Sequence, residues 1–598
     1  MHQVDIIPVA TARTLSGMFR ERVLRTPDAV AYREFNTRHD NWRDYTWAQM
    51  QRQITRWQAA LRGEALQPGE RVALMLKNCT AWVMMDQAAL GLGLVVVPLY
   101  TVDRPDNVAY ILKDAGIKLL LLENQEQWQQ LNAVRAQWED CGLRRILVLN
   151  GVGGENDERL MAVEDWLPEA GAADMQTLGQ SEELATIVYT SGTTGRPKGV
   201  MLSHRNILSN SYSSLQILPV HTDDLFLSFL PLSHTLERTV GYYLAVMAGA
   251  ATVYARSIPQ LAEDLASQRP TLLVSVPRIY ERVYAGIKTK LDEGSGLKRF
   301  LFNLTVDVGW SRFEHAQGRG PWGFSHMLWP LLNQLVASKV MARLGGRIRG
   351  AMSGGAALPP DISRIFIGLG LPLLQGYGLT ETSPVACGNP RENNMPASIG
   401  LPIPGVEVKI GEKNALLIRG PNIMLGYWNN PQATRAMIDA EGWLNSGDTA
   451  RLDEQGRVYI TGRLKEIIVM SNGEKVPPVD MEAAIARDSL FEQSLVLGEG
   501  KPYLALLAVL NAEQWKKTAR EAGLGAADLE NEKTQKLVLE RVARQVRDFP
   551  GYAQIRRAAL TLEPWTVENG LLTPTLKLKR TRIMEQYRGK IEKLYEGH

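Results

Sequence analysis

The sequence contains little cysteine and little excess charge. Its 598 residues include only Cys79, Cys141 and Cys387, and none of them forms a C-x-x-C pair. Neither a disulfide framework nor a thiolate metal site is therefore supported, and a reducing, cytoplasmic setting fits. The formal net charge is +3, from 67 basic and 64 acidic residues. Such a balance argues against nucleic acid as a main partner.

Two kinds of hydrophobic segment are also missing. The start, Met1 to Asp5, has no basic region followed by an apolar core, so we expect no signal peptide. No uncharged apolar run of about 18 residues occurs, so we expect no membrane-spanning helix. The nearest candidate, Met327 to Val340, is broken by Pro330 and by polar residues. Any membrane contact would then be peripheral, at the inner face of the membrane.

The chain is too long for one hydrophobic core, so we expect two or more domains. Short apolar runs alternate with helical patterns between residues 71 and 122, which predicts parallel β-α units. The predicted strands are Arg71 to Leu76, Leu94 to Val97 and Ile117 to Leu122, and the predicted helices are Ala81 to Leu92 and Pro105 to Ala115. The pattern recurs between residues 249 and 275.

The composition and the hydrophobic pattern of the sequence change after about residue 463. Charge density rises, apolar runs at 495–497 and 504–510 predict strands, and a helix-rich charged tail follows from Ala512. We therefore predict an α/β fold. A large N-terminal domain of parallel-rich β-sheets and helices would span 1–462, and a small α+β C-terminal domain 463–598.

Residues 295 to 345 are rich in aromatic residues among basic ones. One interpretation is a surface that touches a membrane or delivers a fatty chain. The other is an inserted helical pair that packs its aromatics on the main domain, which the usual burial of aromatic stripes favours. The aromatic residues are Phe300, Phe302, Trp310, Phe313, Trp322, Phe324 and Trp329.

A glycine- and hydroxyl-rich loop follows the predicted buried strand Ala185 to Tyr189. Such a loop directs backbone N–H groups and hydroxyls to one concave spot, as a polyphosphate requires. It is not a Walker A motif, because Pro197 separates the two cations and Gly199 follows Lys198. By composition alone it could be a plain turn. The candidate phosphate ligands are Thr190, Ser191, Gly192, Thr193, Thr194, Gly195 and Lys198.

The whole string from Tyr189 to Gly199 resembles the phosphate-binding loop of the acyl-adenylate-forming superfamily. This superfamily includes acyl-CoA synthetases, luciferases and the adenylation domains of peptide synthetases. Further segments match it in the same order along the chain and together cover nearly the whole sequence. The resemblance implies the acyl-adenylate-forming fold, with a C-terminal domain that moves between two reaction states.

The second strong match runs from Gln375 to Thr382. A Gly-Tyr-Gly turn lets backbone and an aromatic face approach a flat ring, Thr380 offers a hydroxyl to a phosphate, and Glu381 offers an oxygen to Mg²⁺. Alone, the segment could be a turn with a helix N-cap. In the family it holds adenine and the α-phosphate, and the glutamate binds the metal, here together with Thr190. The implied adenylate-binding residues are Gln375, Gly376, Tyr377, Gly378 and Thr380.

Weaker motifs complete the implied nucleotide and acyl sites. Gly355 and Ala356 resemble the wall against the adenine. His234 lies in a segment that resembles the lining of the acyl pocket, and we assign it a positioning role near the carboxylate or the α-phosphate. Asp448 matches the ribose-binding aspartate, although its segment could be a surface turn, and Arg463 also reaches the ribose in the family.

The C-terminal part matches the family's moving domain. The hinge position is Lys465, and Gly473 lies on the loop that the pantetheine arm of CoA passes. Val469 stands where some relatives carry a lysine, which is a departure from the family pattern. A basic solvated tail is the default interpretation of the charged ending. The family's catalytic lysine matches Lys577, with Lys579 as the other register, and Leu576 replaces the usual glycine.

The resemblance implies a two-step ligase that uses Mg²⁺, ATP and CoA. The linker, the 295–345 insertion and the ending look like the long-chain fatty acyl-CoA synthetases, which implies a fatty acid substrate and an apolar tunnel. An acyl–acyl-carrier-protein synthetase would share all the activation motifs. A non-catalytic lipid-binding relative is a further alternative. The sequence does not indicate the oligomeric state.

Overall fold

The computed structural model describes residues 3–151, 157–190, 196–464, 468–547 and 549–596. The strands in chain order are β1 Val30–Asn36, β2 Asn41–Thr46, β3 Arg71–Met75, β4 Val95–Pro98, β5 Ile117–Asn124, β6 Arg145–Asn150, β7 Leu160–Ala162, β8 Leu184–Thr190, β9 Lys198–Ser203, β10 Leu225–Ser228, β11 Ala251–Tyr254, β12 Leu272–Ser275, β13 Gly350–Ser353, β14 Leu373–Gly378, β15 Val385–Gly388, β16 Leu401–Pro402, β17 Glu407–Ile410, β18 Ala415–Arg419, β19 Gly426–Tyr427, β20 Leu444–Leu452, β21 Val458–Arg463, β22 Ile468–Val469, β23 Lys475–Val476, β24 Phe491–Leu497, β25 Leu504–Leu510 and β26 Ile555–Thr561.

The α-helices are α1 Val9–Ala12, α2 Leu15–Arg25, α3 Trp47–Gly63, α4 Thr80–Gly91, α5 Pro105–Ala115, α6 Gln125–Asn132, α7 Val163–Trp166, α8 His204–Leu215, α9 Leu244–Ala248, α10 Leu261–Gln268, α11 Pro277–Asp292, α12 Gly296–Ala316, α13 Trp329–Leu332, α14 Ser338–Ala342, α15 Pro360–Gly368, α16 Pro431–Met437, α17 Pro478–Ile485, α18 Ala512–Glu521, α19 Glu532–Gln545, α20 Arg580–Gln586 and α21 Arg588–Lys593. Glu237–Tyr243 and Asn333–Ala337 are π-helical. None of the helices in the described ranges is long and apolar enough to cross a membrane.

The predicted α/β alternation is confirmed by two large sheets. Their strand orders are β16-β15-β14-β13-β12-β10-β11-β1-β2 and β19-β9-β8-β4-β3-β5-β6-β7. The inner strand pairs are parallel, whereas both ends carry antiparallel pairs or a short edge strand. Parallel strands are joined by crossover helices such as α5, which starts at a proline and ends at a glycine in the left-handed conformation.

The two large sheets share one hydrophobic core. Successive side chains of a strand point to opposite faces, and Val72 and Leu74 of β3 accordingly lie in a cluster that also holds Phe226 of β10 and Leu272 of β12. Helices α2, α3, α4 and α8 contribute to the same cluster. The sheets therefore face each other across a layer of helices. The outer faces carry separate cores.

A four-stranded antiparallel sheet, β17-β18-β20-β21, completes the large domain, and the small domain has its own sheet, β24-β25-β26. Apolar clusters on both faces of that last sheet contain only residues from 468 onwards. The large and small domains of the predicted fold are thus both present. The tail is helix-rich as expected, but it also contributes strand β26, which was not predicted: Arg556 and Arg557 break its apolar pattern, yet it pairs in parallel with β25.

The 295–345 insertion is the expected helical pair, but its aromatics are divided between two environments. Phe302 is buried, and Trp310, Phe313 and Trp329 are half-buried against the large domain. The expectation that the aromatics pack inward is wrong for Phe300, Trp322 and Phe324, which are 61%, 52% and 82% exposed. Aromatic content alone does not reveal which face of a helix carries each ring.

Candidate active site

The predicted phosphate loop connects two antiparallel strands. β8 and β9 pair so that Thr190 lies opposite Lys198, and the Thr190 hydroxyl donates to the Lys198 carbonyl at 3.5 Å. Immediately after β9, Ser203 and Asn206 form a capping box that starts α8 and fixes the end of the hairpin. Five of the predicted ligands, Ser191, Gly192, Thr193, Thr194 and Gly195, lie outside the described residues.

Tyr427 joins this hairpin to the predicted metal ligand. β19 pairs with β9, which places Tyr427 opposite Val200. The Tyr427 hydroxyl donates to Glu381 Oε1 at 2.7 Å, and Lys198 Nζ lies 5.2 Å from the centre of the Tyr427 ring. Burial, together with the charge of Glu381, raises the pKa of Tyr427 well above its ordinary value, so the hydroxyl stays protonated and donates. The phosphate hairpin and Glu381 are thus held at one place.

The residues present suit a magnesium ion bound together with phosphates. Mg²⁺ is commonly held by one or two carboxylates plus substrate phosphate oxygens. Glu381 uses Oε1 for Tyr427 and receives no other side-chain hydrogen bond from the residues that the structure describes. Among those residues no group of three or more His, Cys, Asp or Glu side chains could hold a metal by itself. The described residues therefore contain no metal site made of protein ligands alone. A magnesium site formed by Glu381 together with substrate phosphates is compatible with them.

The adenine and ribose candidates meet at the ends of neighbouring strands. β13 and β14 are parallel neighbours, with Ser353 opposite Gln375. Gly355 and Ala356 lie in the exposed turn after β13, and Gly355 has φ 79°, the left-handed region that glycine tolerates. The Gln375 side chain accepts the Leu358 N–H at 2.7 Å and fixes that turn. Gly376, Tyr377 and Gly378 end β14 beside it.

Asp448 lies at the centre of a small polar network. The Tyr377 hydroxyl donates to Asp448 Oδ2, and Arg463 Nε donates to Oδ1 at 2.8 Å. Asp448 and Arg463 are direct partners across β20 and β21, and the Asp448 side chain is 6% exposed. Because a carboxylate has about four acceptor positions, two remain for ribose hydroxyls. Three predicted nucleotide ligands are thus joined by hydrogen bonds.

The segment around His234 borders the same region. Asn78 fixes the preceding turn, since its Nδ2 donates to the Leu230 carbonyl at 2.7 Å and its Oδ1 accepts the Leu232 N–H at 2.9 Å. The Thr235 hydroxyl donates to the Thr380 hydroxyl at 3.5 Å. His234 Nδ1 accepts the Leu236 N–H at 3.1 Å. A neutral ring with Nδ1 as acceptor carries its proton on Nε2, which is then a donor.

The charge of Lys577, a residue of the small domain, acts on His234. The pKa of His234 is lowered to about 4, first by burial and then by the positive charge of Lys577. His234 is therefore neutral near pH 7. Lys579 lies elsewhere: burial lowers its pKa, and its charged neighbours are Arg582, Asp103 and Arg104. Of the two candidate lysines, Lys577 is therefore the one whose charge acts on His234.

The backbone before Lys577 is unusual. Leu576 has φ 61°, which branched and bulky side chains rarely adopt. A tight turn explains it: Thr573 N donates to the Lys577 carbonyl at 2.8 Å, and Lys577 N donates to the Thr573 hydroxyl at 3.0 Å. A glycine would suit this position, as the family pattern implies, and the leucine adopts the same conformation despite its side chain.

Two predicted residues are not brought to this centre. Lys465 lies outside the described residues, so the hinge remains a prediction. Gly473 sits in the turn between β22 and β23 with φ 83° and open space where a Cβ would be. No contact among the described residues joins it to His234 or Lys577, and its role toward CoA also remains a prediction.

Sequence reasoning missed a buried ion pair beside the site. Arg238, one turn after His234, donates to Asp86 Oδ1, while the Tyr243 and Tyr242 hydroxyls donate to Asp86 Oδ2 at 2.8 and 3.1 Å. Both partners of the pair are almost fully buried. The charged residues Glu237 and Arg238 inside an otherwise apolar run were the available signal. Nothing in the sequence placed Tyr427 beside Glu381.

Comparison with known proteins identifies the family of this chain. The family described as "AMP-binding enzyme" matches residues 19–428, and the one described as "AMP-binding enzyme C-terminal domain" matches residues 465–598. The chain is 30% identical to the long-chain-fatty-acid–CoA ligase FadD15 of Mycobacterium bovis, over 97% of each chain. It is 29% identical to the chloroplastic long-chain-fatty-acid–[acyl-carrier-protein] ligase AEE15 of Arabidopsis thaliana, over 93% of this chain and 83% of that one.

A solved structure shares the fold. It is the A domain of carboxylic acid reductase from Segniliparus rugosus, in complex with AMP and a co-purified carboxylic acid. The TM-score is 0.76 at 20% identity, and the match covers 99% of this chain and 96% of that one.

Proposed function

This chain belongs to the family of AMP-binding enzymes, and we propose that within it the chain activates a long-chain fatty acid and transfers the acyl group to CoA. It is an ATP-using, adenylate-forming ligase. The observation that supports the mechanistic part of the proposal is that the charge of Lys577, a residue of the small domain, acts on the buried His234.

In the first step a carboxylate oxygen attacks the α-phosphorus of ATP and pyrophosphate leaves. Such chemistry needs positioning and charge neutralisation more than covalent help. Lys198 and the loop that begins at Thr190 hold the β- and γ-phosphates. Tyr377, Asp448 and Arg463 fix the nucleoside. Glu381 and Thr190 would hold Mg²⁺, which would supply charge neutralisation to the phosphates.

Lys577 and His234 act at the reacting atoms. Lys577 bridges the carboxylate and the α-phosphate and stabilises the charge that develops between them. The neutral His234 donates from Nε2 to a carboxylate or α-phosphate oxygen. Because its pKa is lowered to about 4, it keeps this donor role without adding a second positive charge beside Lys577.

The second step requires a thiolate at the acyl carbon, where Lys577 stands in the first. We propose that the small domain rotates about Lys465, which removes Lys577 and brings the loop of Gly473 toward the pantetheine arm. A few backbone dihedrals at a hinge can absorb such a change. The exposed ion pair between Arg487 and Asp361, 3.1 Å long, joins the two domains in this arrangement and is weak enough to break.

The choice of acid and acceptor rests on similarity. The 295–345 insertion and the ending resemble the long-chain fatty acyl branch, and a similar relative is named a long-chain-fatty-acid–CoA ligase. A second candidate is supported by the relative named an acyl-carrier-protein ligase at nearly equal identity. The linked residues Glu381, Tyr427, Asp448 and Arg463 argue against a non-catalytic lipid-binding protein, since lipid binding alone requires none of them.

The experiment is AMP release from ATP with CoA and saturated acids of graded length, repeated with a holo acyl carrier protein in place of CoA. We expect AMP and acyl-CoA with long acids. AMP release only with the carrier protein would select the second candidate. No AMP with any acid and either acceptor would contradict the catalytic proposal.

A further inference from the structure

The inserted helical pair exposes an unusually apolar surface. Of the 21 large apolar side chains that are exposed in the described parts of the chain, eight lie between residues 297 and 335, and they include the only exposed tryptophan and phenylalanines found there. We call these eight the hairpin face: Leu297, Phe300, Trp322, Phe324, Met327, Leu328, Leu331 and Leu335. Clustered exposed apolar side chains indicate an interaction site.

The second half of the pair is apolar on two opposite sides. Its inner side packs on the protein, with Leu332 and Ala337 buried. Phe324, Leu328, Leu331 and Leu335 recur at helical spacing on the outer side and are exposed. A surface helix normally carries polar residues on its outer side. Exposure of the outer apolar side to water is therefore unfavourable. The fold of this chain does not explain why these side chains are exposed.

The pair is firmly held, so this exposure is not that of a frayed segment. The Ser311 hydroxyl and His326 Nε2 are 2.9 Å apart, and the Arg312 guanidinium lies 4.7 Å from the centre of the Trp329 ring. Phe302, near the start of α12, clusters with Ala337. These contacts show that the two halves run antiparallel and keep the hairpin face outward.

Cations gather at one end of the hairpin. Because Phe302 packs beside Ala337, the start of α12 and the end of α14 lie together, and we call their cations the cationic end: Lys298, Arg299, Lys339, Arg343 and Arg347. All five are exposed, and within the described ranges none has a carboxylate at ion-pair distance. The only acidic residues of 296–347 are Asp307 and Glu314, which pair with Arg364 and Arg319.

We propose that the hairpin face and the cationic end together form a docking surface for an anionic lipid bilayer. Apolar and aromatic side chains enter the boundary between headgroups and acyl chains, while the five cations neutralise headgroup phosphates. The absence of unpaired carboxylates on 296–347 suits a negatively charged surface. The surface lies on the bilayer and does not span it. This docking surface does not depend on which acid the enzyme activates or on the thiol acceptor.

The test is flotation of the full-length protein with vesicles of phosphatidylcholine alone and of phosphatidylcholine with phosphatidylglycerol. We expect binding to the anionic vesicles, weaker binding to neutral ones, and loss of the difference at high salt. The triple variant Trp322→Ser, Phe324→Ser, Leu331→Ser should lower the partition coefficient at least about tenfold, because each buried CH₂ contributes about 0.8 kcal/mol. The variant Lys339→Gln, Arg343→Gln, Arg347→Gln should remove the preference for anionic vesicles.

A matched control removes three exposed apolar side chains elsewhere: Leu24→Ser, Leu178→Ser, Ile258→Ser. It should bind vesicles as the parent protein does. Thermal unfolding followed by circular dichroism should be equal in all variants, which shows that they fold.

Three results would overturn the proposal. The parent protein could fail to bind either vesicle, or the hairpin variants could bind as well as the control. Alternatively, the hairpin variants could change only the dimerisation of the protein or its binding to a carrier protein, with vesicle binding unaltered. That outcome would assign the surface to a protein partner.

Discussion

The two domains supply their parts of the site in different ways. In the large domain each candidate group is tied to another: Tyr427 holds Glu381, Tyr377 holds Asp448, and Asn78 holds the turn before His234. In the small domain Lys577 is placed by a local turn and by the docking of the whole domain. A preformed nucleotide site combined with a movable Lys577 would suit the proposed reaction, whose second step must clear the position that the lysine is proposed to occupy in the first.

The largest expected effect concerns the stability of the large domain. Asp86→Ala would leave Arg238 buried without its counter-charge, and such a loss costs about 3–5 kcal/mol. We expect this decrease in the free energy of unfolding in urea. Asp307→Ala, which removes an exposed ion pair, should cost less than about 1 kcal/mol. Equal decreases in the free energy of unfolding for the two substitutions would show that the buried ion pair does not stabilise this domain.

The next effect concerns the link between the phosphate hairpin and Glu381. Tyr427→Phe keeps the ring beside Lys198 but removes the hydrogen bond to Glu381. A hydrogen bond to a charged group contributes about 1.5–3 kcal/mol, so pyrophosphate exchange should fall about tenfold or more. The Mg²⁺ concentration for half-maximal rate should rise, which a general loss of folding would not produce. Tyr459→Phe, at the turn of Asp453, is the matched control, and parent-like kinetics in Tyr427→Phe would contradict the positioning role.

A smaller effect is the acid sensitivity of the large domain. Burial, and secondarily the charge of Arg238, lowers the pKa of His204 from 6.5 to about 4. Between pH 4 and pH 6.5 the His204 ring binds a proton in the unfolded chain but not in the folded one. The free energy of unfolding is therefore unaffected by His204 above about pH 6.5 and decreases as the pH falls toward 4. The loss is about 1.4 kcal/mol per pH unit in that window. Urea unfolding at several pH values should show it, and His204→Gln should have a shallower pH slope than the parent; an unchanged slope would refute the assignment.

The smallest effect concerns the turn that places Lys577. Leu576→Gly relieves a positive φ but gives the unfolded chain more freedom, two changes of about 1 kcal/mol each and opposite sign. We expect nearly unchanged unfolding of the small domain and retained pyrophosphate exchange. Leu452→Gly, in the extended strand β20, should destabilise, since it gains no such relief. A large loss for Leu576→Gly would mean that the leucine side chain has a role of its own.

The sequence allowed the fold to be predicted where its periodicity was regular. The β-α alternation at 71–122 was recovered to within a few residues because buried parallel strands read as continuous apolar runs. β26 was missed, since Arg556 and Arg557 interrupt its apolar pattern. The division of the insertion's aromatics was also missed, because the face on which a ring lies depends on what packs against the helix.

The candidate site was predictable as far as motifs are contiguous in sequence. Asp448 and Arg463 were found through their segments, and the structure pairs them across two strands. Tyr427 could not be found this way, because only the pairing of β19 with β9 brings it to Glu381. Asp86 and Arg238 are 152 residues apart, and only packing of the helical layer joins them.

The most direct test of the role proposed for Lys577 is to compare two reactions in the variant Lys577→Ala. They are pyrophosphate exchange with a fatty acid and conversion of supplied acyl-adenylate with CoA. Loss of one stabilising charge lowers a rate by about 10²–10³. We expect that loss in pyrophosphate exchange, nearly normal conversion of acyl-adenylate, and a parent-like exchange rate in the neighbouring variant Lys579→Ala. Normal pyrophosphate exchange in Lys577→Ala, or an equal loss in both reactions, would contradict this role.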